Sequence, residues 1–310
     1  MRVLVTGATG FVGKALTRHL GDLGWEISRG VRGQAHTGER ADDRVVSLDP
    51  ATGHFEVQAR VDAVVHLAAI AHTHGVDPRS YRNVNALWPQ KLAMRSAALG
   101  IPHFLFVSTA KVVGDSLAWP ANETAQLKPA DAYAASKAEA ESLLDAACRQ
   151  TGLRITVMRP PLVYGPGVGA NFLELLRIVD GGWPLPFASV NNRRSLIYVG
   201  NLVSAIEASL TSQAKANRTF FVSDDHDVST PELITAVAAA LGRQPRLFAF
   251  PPGLVEAIGR LLGQGEKIAR LLDSLQVDTS HIKSELDWRP PFSMEQGLAE
   301  TALWYRSRNQ

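Results

Sequence analysis

VLVTGATGFVG, residues 3–13, decides how this chain must be built. With Arg2 before it, its first half is a short apolar run rich in β-branched residues, the composition of a strand buried on both faces. Gly7, Gly10 and Gly13 follow at once. Beyond them Phe11, Val12, Ala15, Leu16, Leu20 and Leu23 recur at helical spacing, and Gly24 suits the cap that ends the helix. WEISRGV, residues 25–31, reads as the next strand. Strand, glycine turn, helix, strand is the context that makes a glycine pattern a phosphate site. The glycines allow a tight turn and close backbone approach. The amides of Gly10, Phe11, Val12 and Gly13 at the helix N-terminus would then receive a dinucleotide pyrophosphate.

The end of the second strand should select the cofactor. An acidic residue about 20 positions on would hold the ribose 2′-OH of NAD, whereas an arginine accommodates the NADP phosphate. Val31 stands at the acidic position, Arg32 follows and Arg29 is close by. NADP(H) is therefore the expected cofactor, with NAD(H) as the other choice.

Size and composition set bounds. The chain has 310 residues, enough for one large α/β domain or two linked ones, and its formal net charge of +2 gives no footprint for nucleic acid. No apolar stretch approaches the roughly 20 residues of a membrane helix. The chain begins directly in a strand, without a signal-peptide layout. Cys148 is the only cysteine, so no internal disulfide forms, and a reducing cytoplasm is the expected location.

The catalytic candidates lie further on. VDAVVHLAAIAH reads as a buried strand, YRNVNALWPQKLAMRSAALG as a helix, and HFLFVSTAKVVG as a strand with Ser108 and Thr109 at its carboxyl end. Doubly wound sheets bind ligands at the carboxyl ends of their strands. Gly7, Ala68 and Thr109 should therefore meet at one edge. The helix from about Asp131 to Gln150 sets Tyr133 and Lys137 one turn apart on one face. A phenol of pKa about 10 is a poor acid–base group at neutral pH, and a lysine ammonium beside it should lower that value. Thr109 would orient a substrate oxygen. Tyr133 would then exchange the hydroxyl proton while hydride moves at the same carbon.

TGATGFVG, VVHLAA, VN at Val84–Asn85, VSTAKVVG, YAASK, RPPLVYGPG and RRSLIYVGNLV occur in an order that resembles extended short-chain dehydrogenases/reductases, the nucleotide-sugar epimerase/dehydratase/reductase family. The resemblance covers nearly the whole chain. It implies a Rossmann-type doubly wound parallel α/β sheet with a smaller C-terminal substrate-binding lobe. The cofactor domain would take 1–162 with contributions from about 194–228, and the substrate lobe 163–193 and 229–310. It implies Thr109, Tyr133 and Lys137 as the catalytic trio. It also implies cofactor contacts at Asp49 near the adenine, at Leu67, Ala68 and Ala69, at Asn85 and at Pro160. Substrate contacts would come from His72, Thr109 and Lys111, from Asn171 at the nucleotide diphosphate and from Arg194 at a phosphate, with Lys267 or Arg270 as reach for a second phosphate.

His72 and His74 form a His-x-His pair, but no further ligand set is visible and no metal is expected. Trp88, Trp183 and Trp288 read as packing residues. Gly200–Asn201 stands where the family often carries Asp, for which only a structural effect is expected. A UDP-sugar substrate and a homodimer are the expected partners, the dimer forming through the Tyr-x-x-x-Lys helix with Leu143, Leu144 and Ala147, unless these lie in the core.

Three reactions fit this resemblance. In the 4,6-dehydratases an Asp-Glu pair follows the threonine; Ala110 and Lys111 stand here and neither replaces that acid pair, so dehydration is not expected. A 4-ketoreductase of a UDP-4-keto-6-deoxy-hexosamine, in surface-polysaccharide biosynthesis, and a UDP-sugar 4-epimerase with tightly bound NAD use the same trio. The absent acidic anchor and Arg32 favour the reductase. A non-catalytic NADP sensor is the remote alternative, and the intact Tyr133 and Lys137 count against it.

Overall fold

The computed structural model describes residues 1–32, 44–57, 60–71, 75–212 and 218–308. Seven strands form one parallel sheet: β1 (Arg2–Thr6), β2 (Glu26–Arg32), β3 (Arg44–Leu48), β4 (Ala63–His66), β5 (His103–Val107), β6 (Arg154–Arg159) and β9 (Arg218–Phe221). Their order is β3-β2-β1-β4-β5-β6-β9. The chain thus runs outward from β1 in one direction, returns, and continues in the other, and the reversal at β1/β4 opens a crevice at the carboxyl edge. Register fixes that edge: Thr6 pairs with His66 and His66 with Phe106. Two short strands, β7 (Leu162–Tyr164) and β8 (Leu196–Tyr198), pair in parallel outside this sheet.

Helices cover both faces, as the unbroken apolar strands require. Leu16 and Leu20 of α1 (Phe11–Asp22) and Leu202, Val203 and Ile206 of α6 (Val199–Thr211) pack with Val3, Val5, Val65 and Leu105. On the other face Leu92 and Ala93 of α3 (Trp88–Ala98) and Ala140 and Leu144 of α4 (Ala132–Thr151) pack with Leu4, Val64, Phe104 and Phe106. A third core gathers α5 (Ala170–Asp180), α7 (Thr230–Ala240) and α11 (Met294–Ser307) around Tyr164, Phe172, Leu196 and Tyr198. The remaining described helices are α2 (Pro78–Tyr81), α8 (Pro252–Leu261), α9 (Gly265–Leu272) and α10 (Ser280–Leu286). None of the described helices is long and apolar enough to cross a membrane.

Several local expectations change. The helix read from Tyr81 onward is α2 and α3 joined by a π-helical turn over Arg82–Leu87, where Trp88 donates its amide to the Asn83 oxygen. Pro89 has no N–H to continue the tighter ladder there, and wide turns of this kind mark functional positions. Trp88 and Trp288 are buried as expected, but Trp183 is 67% exposed. Leu144 and Ala147 are buried, so the core claims them and not a dimer face.

Candidate active site

The glycine cradle lies at the reversal point. Gly7 has φ +73°, a conformation that disfavours any side chain, and a Cβ on it would lie 2.7 Å from the Ala68 amide nitrogen. A Cβ on Gly13 would fall 2.1 Å from the Gly7 oxygen. The turn and the segment after β4 therefore touch backbone to backbone, helped by Leu67 donating its amide to the Thr6 oxygen at 3.1 Å. Gly10 caps α1 without any side-chain hydrogen bond to the helix. The amides of Phe11, Val12 and Gly13 in the first turn thus have no partner within the helix and carry its positive dipole end. This cradle fits the diphosphate of a dinucleotide.

Next to it the tyrosine helix is held at three points. Asp131 caps α4, its carboxylate accepting from Ala134 N at 2.7 Å. Lys137 donates from Nζ to the Val107 carbonyl at 2.8 Å and lies 4.4 Å from the centre of the Phe106 ring. Ser136, between Tyr133 and Lys137, receives a 3.1 Å bond from Asn85 Nδ2. Asn85 also exchanges bonds with the Ile70 backbone, at 2.8 Å through Oδ1 and 3.0 Å through Nδ2. Expected as a cofactor contact, Asn85 also fastens the segment after β4 to the helix that carries Tyr133. Tyr133 sits against the edge of Tyr81, ring centres 6.3 Å apart.

Thr109 follows β5 by two residues and caps a short 3-10 turn, Ala110–Val113. Its Oγ1 accepts from the Lys111 amide at 3.3 Å. That leaves the hydroxyl proton to be donated to another oxygen.

The electrostatics correct one expectation, that Lys137 lowers the Tyr133 phenol. Instead burial, then Asp131 and Tyr81, push the phenol up to about 12, while burial pushes Lys137 down to about 7 against the opposing pull of Glu141. The ammonium is turned to the Val107 carbonyl, and low polarity disfavours the charged form of both groups. His66, wholly buried and bonded to Thr6 Oγ1 at 2.8 Å, is lowered to about 3 by burial and by Lys137.

The other expected contacts divide. Asp49 lies at the carboxyl end of β3, but its oxygens are held in its own turn by Ala51 N at 2.8 Å and Thr52 Oγ1 at 2.6 Å. Those bonds, the Thr52 hydroxyl first, keep its carboxyl below the usual range. Pro160 is buried, and its carbonyl accepts the Ala110 amide at 2.8 Å, fixing the 3-10 turn. Ala69 is exposed and Ala68 partly so at the crevice. Lys111 forms ion pairs with Asp131 and, at 3.2 Å, with Asp115. Asn171 is exposed in the first turn of α5. Arg194 is partly buried; burial lowers it first, with Asp273 and Asp115 opposing and Arg270 adding to the shift. Arg194 and Arg270 are thus neighbours, while Lys267 pairs with Glu174 at 3.2 Å. Arg32 belongs to β2 through its backbone, and its side chain, like His72 and His74, lies outside the described residues.

Two buried networks escape the sequence reading. Glu141, two turns beyond Tyr133 on α4, accepts from Ser108 Oγ at 2.5 Å and from Arg159 Nη2 at 2.5 Å. Asp224 accepts from Tyr164 Oη at 2.8 Å, Tyr198 N at 2.8 Å and Asn201 Nδ2 at 2.7 Å. The spacing Tyr133, Lys137, Glu141 on one helical face could have pointed to the first. Nothing local points to the second.

Comparison with known proteins agrees with this architecture. The profile of the NAD dependent epimerase/dehydratase family matches residues 3–222. A UDP-glucose 4-epimerase of Vibrio cholerae is 35% identical over 316 residues, covering 99% of this chain and 96% of that one. A dTDP-glucose 4,6-dehydratase of Mycolicibacterium smegmatis is 28% identical over 330 residues, covering 99% and 94%. The crystal structure of a Thermus thermophilus UDP-glucose 4-epimerase complex with NAD superposes with TM-score 0.75 at 25% identity, covering 99% of each chain.

Proposed function

This chain belongs to the NAD dependent epimerase/dehydratase family of enzymes, and we propose that within it the protein works at C4 of a nucleotide-diphosphate sugar as a 4-epimerase. The observation that carries this reading is the bond from Lys137 Nζ to the Val107 carbonyl, which ties the helix of Tyr133 to the strand that ends two residues before Thr109, in a chain with a glycine cradle after β1 and similar along its length to a UDP-glucose 4-epimerase.

The Gly7–Gly13 cradle would hold a dinucleotide, which when bound would supply hydride transfer at C4. The chain's own residues handle the proton and the geometry. Thr109, its oxygen already accepting from Lys111 N, donates its hydroxyl proton to the C4 oxygen of the sugar and fixes that oxygen's place. Tyr133 takes the C4 hydroxyl proton as hydride leaves and returns it as hydride comes back. Lys137 fastens the tyrosine helix to β5 through the Val107 carbonyl, and burial lowers its amine to about 7. Arg194 and Arg270 offer guanidinium groups suited to a diphosphate, and exposed Asn171 offers an amide donor.

Dehydration is disfavoured because Ala110 is fully buried and Lys111 is engaged by two carboxylates, so neither supplies an acid after Thr109. A second reading has its own observation. Val31 gives β2 no carboxylate at its end, and with Arg29 and Arg32 this favours NADP(H) and a 4-ketoreductase of a UDP-4-keto-6-deoxy-hexosamine. Both readings keep the division proposed from sequence: a cofactor domain over 1–162 with 194–228, a substrate lobe from the rest, and a homodimeric cytoplasmic enzyme of polysaccharide synthesis.

The test begins with purified protein. Release of NAD on denaturation, with interconversion of UDP-glucose and UDP-galactose or their N-acetyl forms without added cofactor, is expected. Loss of one NADPH per UDP-4-keto-6-deoxy-N-acetylhexosamine, with no bound NAD, would establish the reductase instead.

A further inference from the structure

Lys111 is out of place for a residue two positions after a catalytic threonine. Its ammonium does not face an open crevice. It is held between Asp131 and, at 3.2 Å, Asp115, with about a fifth of its side chain exposed (22%). Its amide is the group that orients Thr109 Oγ1, at 3.3 Å. Asp131 in turn is the cap of the helix that carries Tyr133, holding Ala134 N at 2.7 Å through its side chain and Ala135 N at 2.9 Å through its carbonyl. One side chain therefore joins the turn that aims the threonine to the cap that starts the tyrosine helix.

We propose that Lys111 is a positioning residue: its ammonium ties the Thr109 turn to Asp131, fixing Thr109 against Tyr133, and neutralises the Asp131 charge that faces the phenol. The inference rests on the reading of Tyr133 as the proton carrier at C4. The charges around the phenol come from several elements. Asp131 and Lys137 belong to its own helix, and Tyr81 faces it from α2. Lys111 reaches Asp131 from the 3-10 turn, with Asp115 as its second partner. Behind Lys137 stand Glu141 on α4 and His66 on β4. Arg82 of the π-helical turn is occupied by Glu139 at 2.8 Å. Lys111 forms an ion pair with Asp131 across 20 positions.

Two consequences follow. Without the ammonium, the Asp131 charge acts more strongly on Tyr133, and a negative neighbour disfavours phenolate. The pH limb set by Tyr133 must then move upward, whether the phenolate is the base in oxidation or the phenol the acid in reduction. In addition, the loosened turn lowers kcat at every pH, because Thr109 is no longer held to the helix.

The experiment compares pH–rate profiles of kcat for the wild type, Lys111→Met, Lys111→Arg and the double variant Lys111→Met/Asp131→Asn, with thermal melts of each. UDP-sugar interconversion is the assay, or NADPH oxidation by the 4-keto-sugar if that is the activity found. Lys111→Met should lower kcat near pH 7.5 by about tenfold and move the limb set by Tyr133 up by about one unit. Lys111→Arg should restore the limb. The double variant, with the Asp131 charge removed from the start of the tyrosine helix, should return the limb to the wild-type position or below, and it serves even if the single variant folds poorly. A limb that stays in place in Lys111→Met, or one that stays displaced in the double variant, overturns the proposal. A wild type without turnover on either substrate overturns the C4 reading itself, and the proposal falls with it.

Discussion

Lys137 Nζ reaches back from α4 to the Val107 carbonyl at 2.8 Å, so the helix that carries the tyrosine is bonded to the strand that delivers Thr109. The bond is made inside the protein, where Lys137 is 2% exposed and its amine is lowered to about 7 from the usual 10.5. Between those two pH values the unfolded chain binds a proton that the folded protein does not. Stability therefore rises with pH across that window. Urea denaturation at pH 7, 8.5 and 9.5 should show the wild type gaining stability relative to Lys137→Met at each step upward, because methionine has no proton to release. Parallel pH dependences in the two proteins would sink the assignment.

The proposed function makes Tyr133 the proton carrier, so Tyr133→Phe should reduce turnover by about 100- to 10,000-fold. The phenyl ring keeps its edge contact with Tyr81, and the melting temperature should move by only a few degrees. A variant that retains half of the wild-type rate in either assay would remove Tyr133 from the reaction.

Gly13 is the tightest point of the cradle. A methyl there would meet the Gly7 oxygen at 2.1 Å and Ala8 Cα at 2.7 Å, both backbone atoms that cannot turn aside. Gly13→Ala should lower stability by about 1–3 kcal/mol. It should also weaken dinucleotide binding by at least about tenfold, through displacement of the first-turn amides. Titration calorimetry with NAD and NADPH, beside a urea melt, reads both, and unchanged affinity would mean that the cofactor lies elsewhere.

What can be read in the chain and what cannot separates by distance along it. The cradle and the Tyr133/Lys137 pair are local patterns, and the sheet follows from apolar strands alternating with helical periodicity. The buried partners of those residues are not local. Ser108 meets Glu141 across 33 positions and Asn85 meets Ser136 across 51, so only the folded sheet brings them together. Lys111 and Asp49 show the opposite failure. Family resemblance assigns them to ligands, whereas their side chains are engaged by Asp131 and Asp115 and by Ala51 and Thr52. The π-helical turn is hidden because its apolar spacing matches an ordinary helix until Pro89 removes one donor.

Arg159 and Glu141 form an ion pair with side chains 6% and 8% exposed, and Ser108 donates to the same carboxylate. Removing one partner strands the other charge beneath the active-site edge. Arg159→Leu should therefore cost about 3–5 kcal/mol in urea unfolding. The double variant Arg159→Leu/Glu141→Leu should recover much of that loss, because no charge is left unpaired. A double variant less stable than the single one would show that the pair stabilises beyond mutual compensation.

Family resemblance leads one to expect aspartate at Gly200–Asn201, and the Asp224 network shows what the Asn201 amide does there instead. Its Nδ2 donates to Asp224 Oδ1 at 2.7 Å and to the Phe292 carbonyl at 2.9 Å, while its Oδ1 accepts from Phe292 N at 2.9 Å. An aspartate keeps only the accepting role. Asn201→Asp would bring a second carboxylate onto Asp224, whose pKa burial already raises. At neutral pH the change should cost about 2–4 kcal/mol, from two lost donors and like-charge repulsion. Acid relieves it: the folded variant takes up a shared proton at a pH where the unfolded chain does not, so its stability relative to wild type improves as pH falls toward about 5. Melts of both proteins at pH 8 and pH 5 should show the gap narrowing on acidification. A gap that widens instead would mean that Asp224 is held charged by something other than Asn201.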